Sequence, residues 1–481
     1  MQGFGSQIFR KLLRSSNAKV SDALLQNTRT LFTAPPLHSG LQTSFTAETQ
    51  QHVRQNSQNL LKQLNDEMKA RKYTETVATF SSLKPFGILD SQTINRYILF
   101  LVDRIKMLNG RGNVDEATLD KLDDILRYAI EHQEIASARF WRIMLQSYID
   151  LNLFDKASLI ADMSLSHMEF LPKDERVLGN LYISALQAKI LGGASFEQCG
   201  KIGSAIHEQL EGKEVVNELV AVYLIYTVFK DQGISSKAHK ALVQFNGLTS
   251  FHSDVIISVF VNKGLVDQAA AYLKNSNLNE RNLPTIYTTV WLLQRLFEAH
   301  HSLDPLLTIF DYYLSVSPKD ITRLTNAILS LSMKQFERDR DIKKATDFIT
   351  TFINKMSDVK EFKPSISTAN TLFSIASRLK DVKWLSAGFD MIDKYGLKPT
   401  HVTYRSLLKA YCLLPSTCEQ ISQAWVNLEY RLEAISISVA DKEINLLKDC
   451  ILSQPDRDDQ QSCLQFLNMV LSKYGKHIRS P

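Results

Sequence analysis

Lys363-Pro364-Ser365-Ile366-Ser367-Thr368-Ala369-Asn370-Thr371-Leu372 returns 35 residues later as Lys398-Pro399-Thr400-His401-Val402-Thr403-Tyr404-Arg405-Ser406-Leu407. A period between about 20 and 50 residues is the sign of a stacked architecture, in which a helix pair leaves its apolar face open until a neighbour covers it. Between the copies, Leu372, Phe373, Ile375, Ala376 and Leu379 recur at helical spacing on one face. Lys380-Asp381 breaks the pattern, and a second run carries Trp384, Leu385, Phe389, Met391 and Ile392 up to Gly396, with Pro399 just beyond. A left-handed glycine followed by proline stops a helix. The unit is helix, turn, helix, linker. The chain is expected to be all-α, an α-solenoid of stacked helix-turn-helix repeats.

The phrase Lys-Pro-x-x-x-Thr-Tyr-x-x-Leu-Leu, followed by Ala410-Tyr411-Cys412 at the 35-residue interval, resembles the pentatricopeptide repeat family. In its irregular repeats and basic N-terminal segment, the chain is most similar to the fungal mitochondrial branch. The resemblance implies helix pairs that read single-stranded RNA at about one base per repeat, with the fifth and last residues of each repeat touching base edges on the concave face. It puts Asn370 and Arg405 at fifth positions and Thr400 at a last position; asparagine is common at the fifth place in the family, arginine is not. Asn95 follows Thr93-Ile94 in the same way, and Arg142 falls in Phe140-Trp141-Arg142-Ile143-Met144. Asn180 and Asn326 follow Pro172 and Pro318 through linkers two residues longer. Asp254 lies fifteen residues before Ala269, in a unit whose turn is Lys263-Gly264-Leu265. A similar turn, Asp231-Gln232-Gly233 to Ala238, precedes it by 31 residues, and Ile444-Asn445-Leu446-Leu447 suggests a further first helix. For each polar candidate, a helix N-cap contributing about 1 kcal/mol is the alternative role.

Residues 1–32 carry Arg10, Lys11, Arg14, Lys19 and Arg29 against the single acid Asp22, with Phe4, Ile8 and Leu12 on one side of an amphipathic helix. That is the signature of a mitochondrial presequence. The domain reading is therefore residues 1–45 as presequence and linker and 46–481 as the repeat solenoid, clearest at 139–174 and 363–412. With five bases and one acid in residues 1–32, the rest of the chain holds 51 bases against 50 acids. The total gives no basic footprint of the kind nucleic-acid binders carry, although net charge does not report distribution. The longest apolar stretch, Leu219 to Phe229, is too short for a membrane span of about 20 residues. Cysteines 199, 412, 418, 450 and 463 contain no Cys-x-x-Cys and read as buried thiols of a reducing compartment.

No motif of a phosphate loop, nucleophile elbow or zinc protease is present; His207-Glu208-Gln209-Leu210-Glu211 lacks a second histidine. Asp120, Asp123 and Asp124, and likewise Asp456, Asp458 and Asp459, read as solvated charge rather than metal ligands. His300-His301 reads as a helix-end pair, and Phe336 to Lys344 as a stretch where a loop or a loss of register falls. No enzyme activity, cofactor or metal is expected. The resemblance implies instead a mitochondrial matrix protein that holds mitochondrial mRNA or other single-stranded RNA and acts in transcript stability, processing or translational activation. The alternative is a helical-repeat scaffold of the mitochondrial ribosome or an assembly factor, which near-neutral charge suits. Neither reading needs a membrane span, and both allow peripheral association with the inner membrane.

Overall fold

The computed structural model describes residues 47–109, 116–132, 135–168, 171, 175–210, 215–245, 247–276, 278–317, 321–434, 438–453 and 459–474. The presequence reading, the Pro172 and Pro318 linkers, Asp456 and Asp458 lie outside them. The described residues form 22 α-helices and no strands. They divide into two compact units, residues 1–248 and 249–481.

The first unit holds α1 (Ala47–Lys69), α2 (Tyr73–Leu83), α3 (Ser91–Asn109), α4 (Glu116–Glu131), α5 (Ala138–Asp150), α6 (Phe154–Ser166), α7 (Glu175–Leu191), α8 (Phe196–Leu210), α9 (Val215–Val228) and α10 (Gln232–Val243). Each odd helix packs on the even helix that follows it, and α3, α5, α7 and α9 pack successively on one another. The second unit repeats the plan with α11 (Ser250–Asn262), α12 (Val266–Asn275), α13 (Ile286–His300), α14 (Asp304–Val316), α15 (Ile321–Asp339), α16 (Ile342–Ser357), α17 (Ile366–Leu379), α18 (Val382–Tyr395), α19 (His401–Tyr411), α20 (Cys418–Glu433), α21 (Asp441–Leu452) and α22 (Gln460–Lys473). There the first helices, α11 to α21, also stack in sequence. This is the helical-repeat solenoid that the 35-residue period predicts.

Local chemistry starts and stops these helices where the sequence suggests. Asp90 caps α3 by accepting from the Thr93 N–H at 2.7 Å, and Ser137 caps α5 by accepting from Phe140 N–H at 3.2 Å. Ser365 and Thr400 are the N-caps of α17 and α19, each donating its own backbone N–H to a threonine three residues on. Gly396 ends α18 at φ 59. The turns inside the pairs were less legible. The left-handed residue is Gly264 in one, but Asn152, Lys230, His301, Arg340 and Lys380 in others, at φ between 52 and 65. Asp231, Asp341 and Asp381 follow the basic residues and cap the second helices. Gly233 therefore lies inside α10 rather than in the turn, and Phe336 to Lys344 is a tight in-register turn rather than a loop.

The core of the first unit gathers Leu101, Trp141, Met144, Tyr148, Leu181 and Ala185; that of the second includes Leu292, Ile328, Phe373, Leu408, Trp425 and Leu447, all buried. Close helix approach is bought with small residues: a methyl group at Gly388 would sit 2.4 Å from the Phe373 ring. Leu219 to Tyr226 is buried in α9, so its long apolar run is a core helix, and no described helix is long and apolar enough to cross a membrane. Cys199, Cys450 and Cys463 are buried as expected, whereas Cys412 and Cys418 are half-buried.

Candidate nucleic-acid interface

The first helices carry the candidates in a common register. In α3, α5, α11, α17, α19 and α21 the fifth helical residue is Asn95, Arg142, Asp254, Asn370, Arg405 and Asn445 respectively. Asn180 and Asn326 are the sixth residues of α7 and α15, yet they occupy the equivalent place. Two buried residues precede each, Leu178-Gly179 and Leu324-Thr325, as Thr368-Ala369 precede Asn370.

What these side chains touch separates them. The Oδ1 atoms of Asn95, Asn326 and Asn370 are buried and accept no hydrogen bond. None of the three is a cap, because the caps lie five residues earlier where the start is described. An unbonded buried carbonyl oxygen costs about 1–3 kcal/mol, so these amides are not explained by the packing of the repeat. Asn95 is only 4% exposed, whereas Asn370, Asn326 and Asn180 are half-buried and Asn445 is exposed. Arg142 is half-buried, and burial together with Arg139 pulls its pKa below the usual value.

Two candidates are engaged elsewhere. Asp254 Oδ1 accepts from the N–H of Thr285 at 2.8 Å and from its hydroxyl at 3.2 Å, and Thr285 is the residue that starts α13. Burial raises the Asp254 pKa against the opposing pull of these bonds and one from Thr288. Arg405 Nη2 is paired with Glu443, the third residue of α21. Thr400 serves as the N-cap of α19.

Five of the nine Lys and Arg on the first helices of the second unit are paired: Arg295 with Glu298, Arg338 with Asp339, Arg378 with Glu337, and Arg405 and Lys442 with Glu443. Arg323, Lys334, Lys409 and Lys448 make no ion pair among the described residues. Lying three or four residues, or two turns, from Asn326, Arg405 or Asn445 along the same helices, they share the candidate face. Arg323 also lies over the exposed Tyr287 ring at 4.4 Å. Among the described residues, no group of three or more His, Cys, Asp or Glu could hold a metal. Asp123 is bonded to Tyr148 at 2.5 Å and Lys156 at 2.8 Å, and Asp124 to Arg127 at 2.9 Å, so this cluster braces helices. His300 bonds Asp267 at 2.8 Å.

Sequence reasoning missed Val290, which fills the candidate place in α13. The signal was present, since Val290 stands six residues after Pro284 as Asn370 does after Pro364 and Arg405 after Pro399. It also missed Glu443, for which the sequence offers no sign.

Residues 353–412 match the pentatricopeptide repeat domain. Yeast Rmd9p, solved in complex with a 16-nucleotide target RNA, aligns at 14% identity with a TM-score of 0.52, over 88% of this chain and 91% of that one. The maize pentatricopeptide repeat protein PPR10, in complex with an 18-nucleotide psaJ RNA element, aligns at 15% identity over 84% of this chain and 61% of that one, with a TM-score of 0.34. The matched segment is one repeat unit of the stack, and the same helix pair recurs through both units.

Proposed function

We propose that this chain binds single-stranded RNA in the mitochondrial matrix and acts on organellar mRNA, in stability, processing or translational activation. The observation that carries the reading is the pair Asn326 and Asn370, on the touching helices α15 and α17, with carboxamide oxygens that no protein group bonds. Side-chain amides at a constant place on successive repeats suit recognition of successive splayed bases, and unpaired Arg323, Lys334, Lys409 and Lys448 suit the phosphates between them. The basic, acid-poor segment at residues 1–32 supports mitochondrial import. The RNA held by Rmd9p in its solved complex supports the ligand class.

A protein-binding scaffold, for the mitochondrial ribosome or an assembly step, is favoured by one observation: five of the nine Lys and Arg on the first helices of the second unit are paired with acids of the same stack. Crosslinking of the tagged protein in intact mitochondria, with sequencing of bound RNA, separates the two. A sharp peak on one organellar transcript, weakened by Asn326→Ala with Asn370→Ala, supports RNA recognition. Copurifying ribosomal or assembly proteins with no RNA peak overturn it.

A further inference from the structure

Arg405 is placed as a reader but is not free to move as one. Nη2 of its guanidinium gives one N–H to Glu443 Oε1, and Nε is buried with no partner, so the N–H groups of Nη1 and the second N–H of Nη2 are left side by side to meet an incoming group. Glu443 is 2% exposed and its other oxygen, Oε2, accepts the Ala440 N–H at 3.2 Å, closing the cap of α21. The carboxylate is thus fixed by its own helix before it fixes the arginine of the preceding repeat. Lys442 Nζ, 3.8 Å from Glu443 Oε1, is largely exposed and adds a second, looser cation.

A cation that only neutralises phosphate needs no such anchor, and Lys409, one turn further along α19, has none. A guanidinium held in one plane instead suits an acceptor edge of fixed geometry. Guanine presents two acceptors side by side, O6 and N7, and arginine is their commonest partner. We propose that Glu443 is a positioning residue that orients Arg405 to select guanine at one place in the bound single-stranded RNA. This rests on the RNA-binding reading and deepens it: Glu443 touches no RNA, yet specificity at that place depends on it.

The test is selection from a random 20-nucleotide RNA pool by the full chain, comparing wild type, Glu443→Gln and Arg405→Lys. Glutamine keeps an acceptor for the Ala440 N–H while removing the charge, and lysine keeps the charge while removing the planar fork. Wild type should enrich a motif with one strongly preferred guanine. In both variants that preference should fall by roughly tenfold, with the remaining motif positions unchanged and the melting temperature lowered by no more than about 4 °C. A motif unaltered in both variants overturns the proposal, as does a uniform loss at all positions accompanied by lower thermal stability, which marks Glu443 as merely structural. A wild-type motif without guanine overturns it while leaving RNA binding intact. If wild type enriches no sequence, the RNA-binding reading falls and this inference with it.

Discussion

Replacing Arg405 by alanine should loosen the stack around α19 and α21 independently of any RNA. The change leaves the Glu443 carboxylate, 2% exposed, without its cation. Removing one partner of a buried ion pair typically costs about 3–5 kcal/mol. Two features move the expectation toward the low end. The Arg405 side chain is itself 28% exposed, so solvent reaches the vacated site, and the Ala440 N–H and Lys442 remain beside the carboxylate. We expect about 2–3 kcal/mol for Arg405→Ala and roughly 1 kcal/mol for Glu443→Gln, which removes the buried charge but keeps an acceptor. The double variant should lose less than the sum by at least about 1 kcal/mol, because no uncompensated carboxylate remains. Repeat stacks open in pieces, so native-state hydrogen exchange of amides in α19 and α21 is the suitable assay. Opening free energies for Arg405→Ala within about 0.5 kcal/mol of wild type would refute the reasoning, since that is the range of an ordinary surface substitution. The result also governs how an Arg405→Ala loss of RNA binding is read.

Gly388→Ala should destabilise the second unit by about 1–2 kcal/mol net: crowding of the Phe373 ring outweighs the gain of alanine over glycine in a helix, and an unchanged or raised melting temperature would contradict it. Lys380→Gly should raise stability by roughly 0.5–1 kcal/mol, because Lys380 holds φ 54 where glycine is unstrained; urea denaturation would detect the shift. His239, stacked on Tyr223 at 5.2 Å, has its pKa lowered by burial. Its neutral form is favoured in the fold, so its contribution is present above about pH 6.5 and is lost as pH falls toward the depressed folded value; His239→Phe should flatten that part of the stability profile of the first unit. For RNA, Asn326→Ala and Asn370→Ala should each weaken binding about 3–10-fold at constant salt, whereas Lys409→Gln should weaken it regardless of sequence and reduce the salt slope by about 0.7, both measured by fluorescence anisotropy.

The repeat at 363–412 was legible because proline, threonine and apolar spacing all coincide there, and one such unit fixes the plan of the rest. The helix ends were legible where Ser, Thr or Asp supply a cap. The turns were not, because Lys230, Arg340 and Lys380 occupy a conformation that sequence rules reserve for glycine; the aspartate after each is the better signal. The helical places of the candidates followed from register where a linker keeps its length, and Asn180 and Asn326 keep the equivalent place despite a two-residue change. The fate of a candidate depends on the next repeat, as Asp254 and Arg405 show, and a residue's own motif carries no record of that neighbour.

The bond from Asp254 to the start of α13 has a consequence for anyone who would rewrite this protein's target. On the proposed reading, a fifth-position residue would be a one-letter edit of a modular code. At Asp254 the same edit removes the acceptor that holds Thr285 at the start of the following helix, and at Arg405 it strands a carboxylate in the following repeat. Altering either position would therefore have to be done in pairs of repeats, with the two neighbouring words exchanged together so that each keeps its own seam.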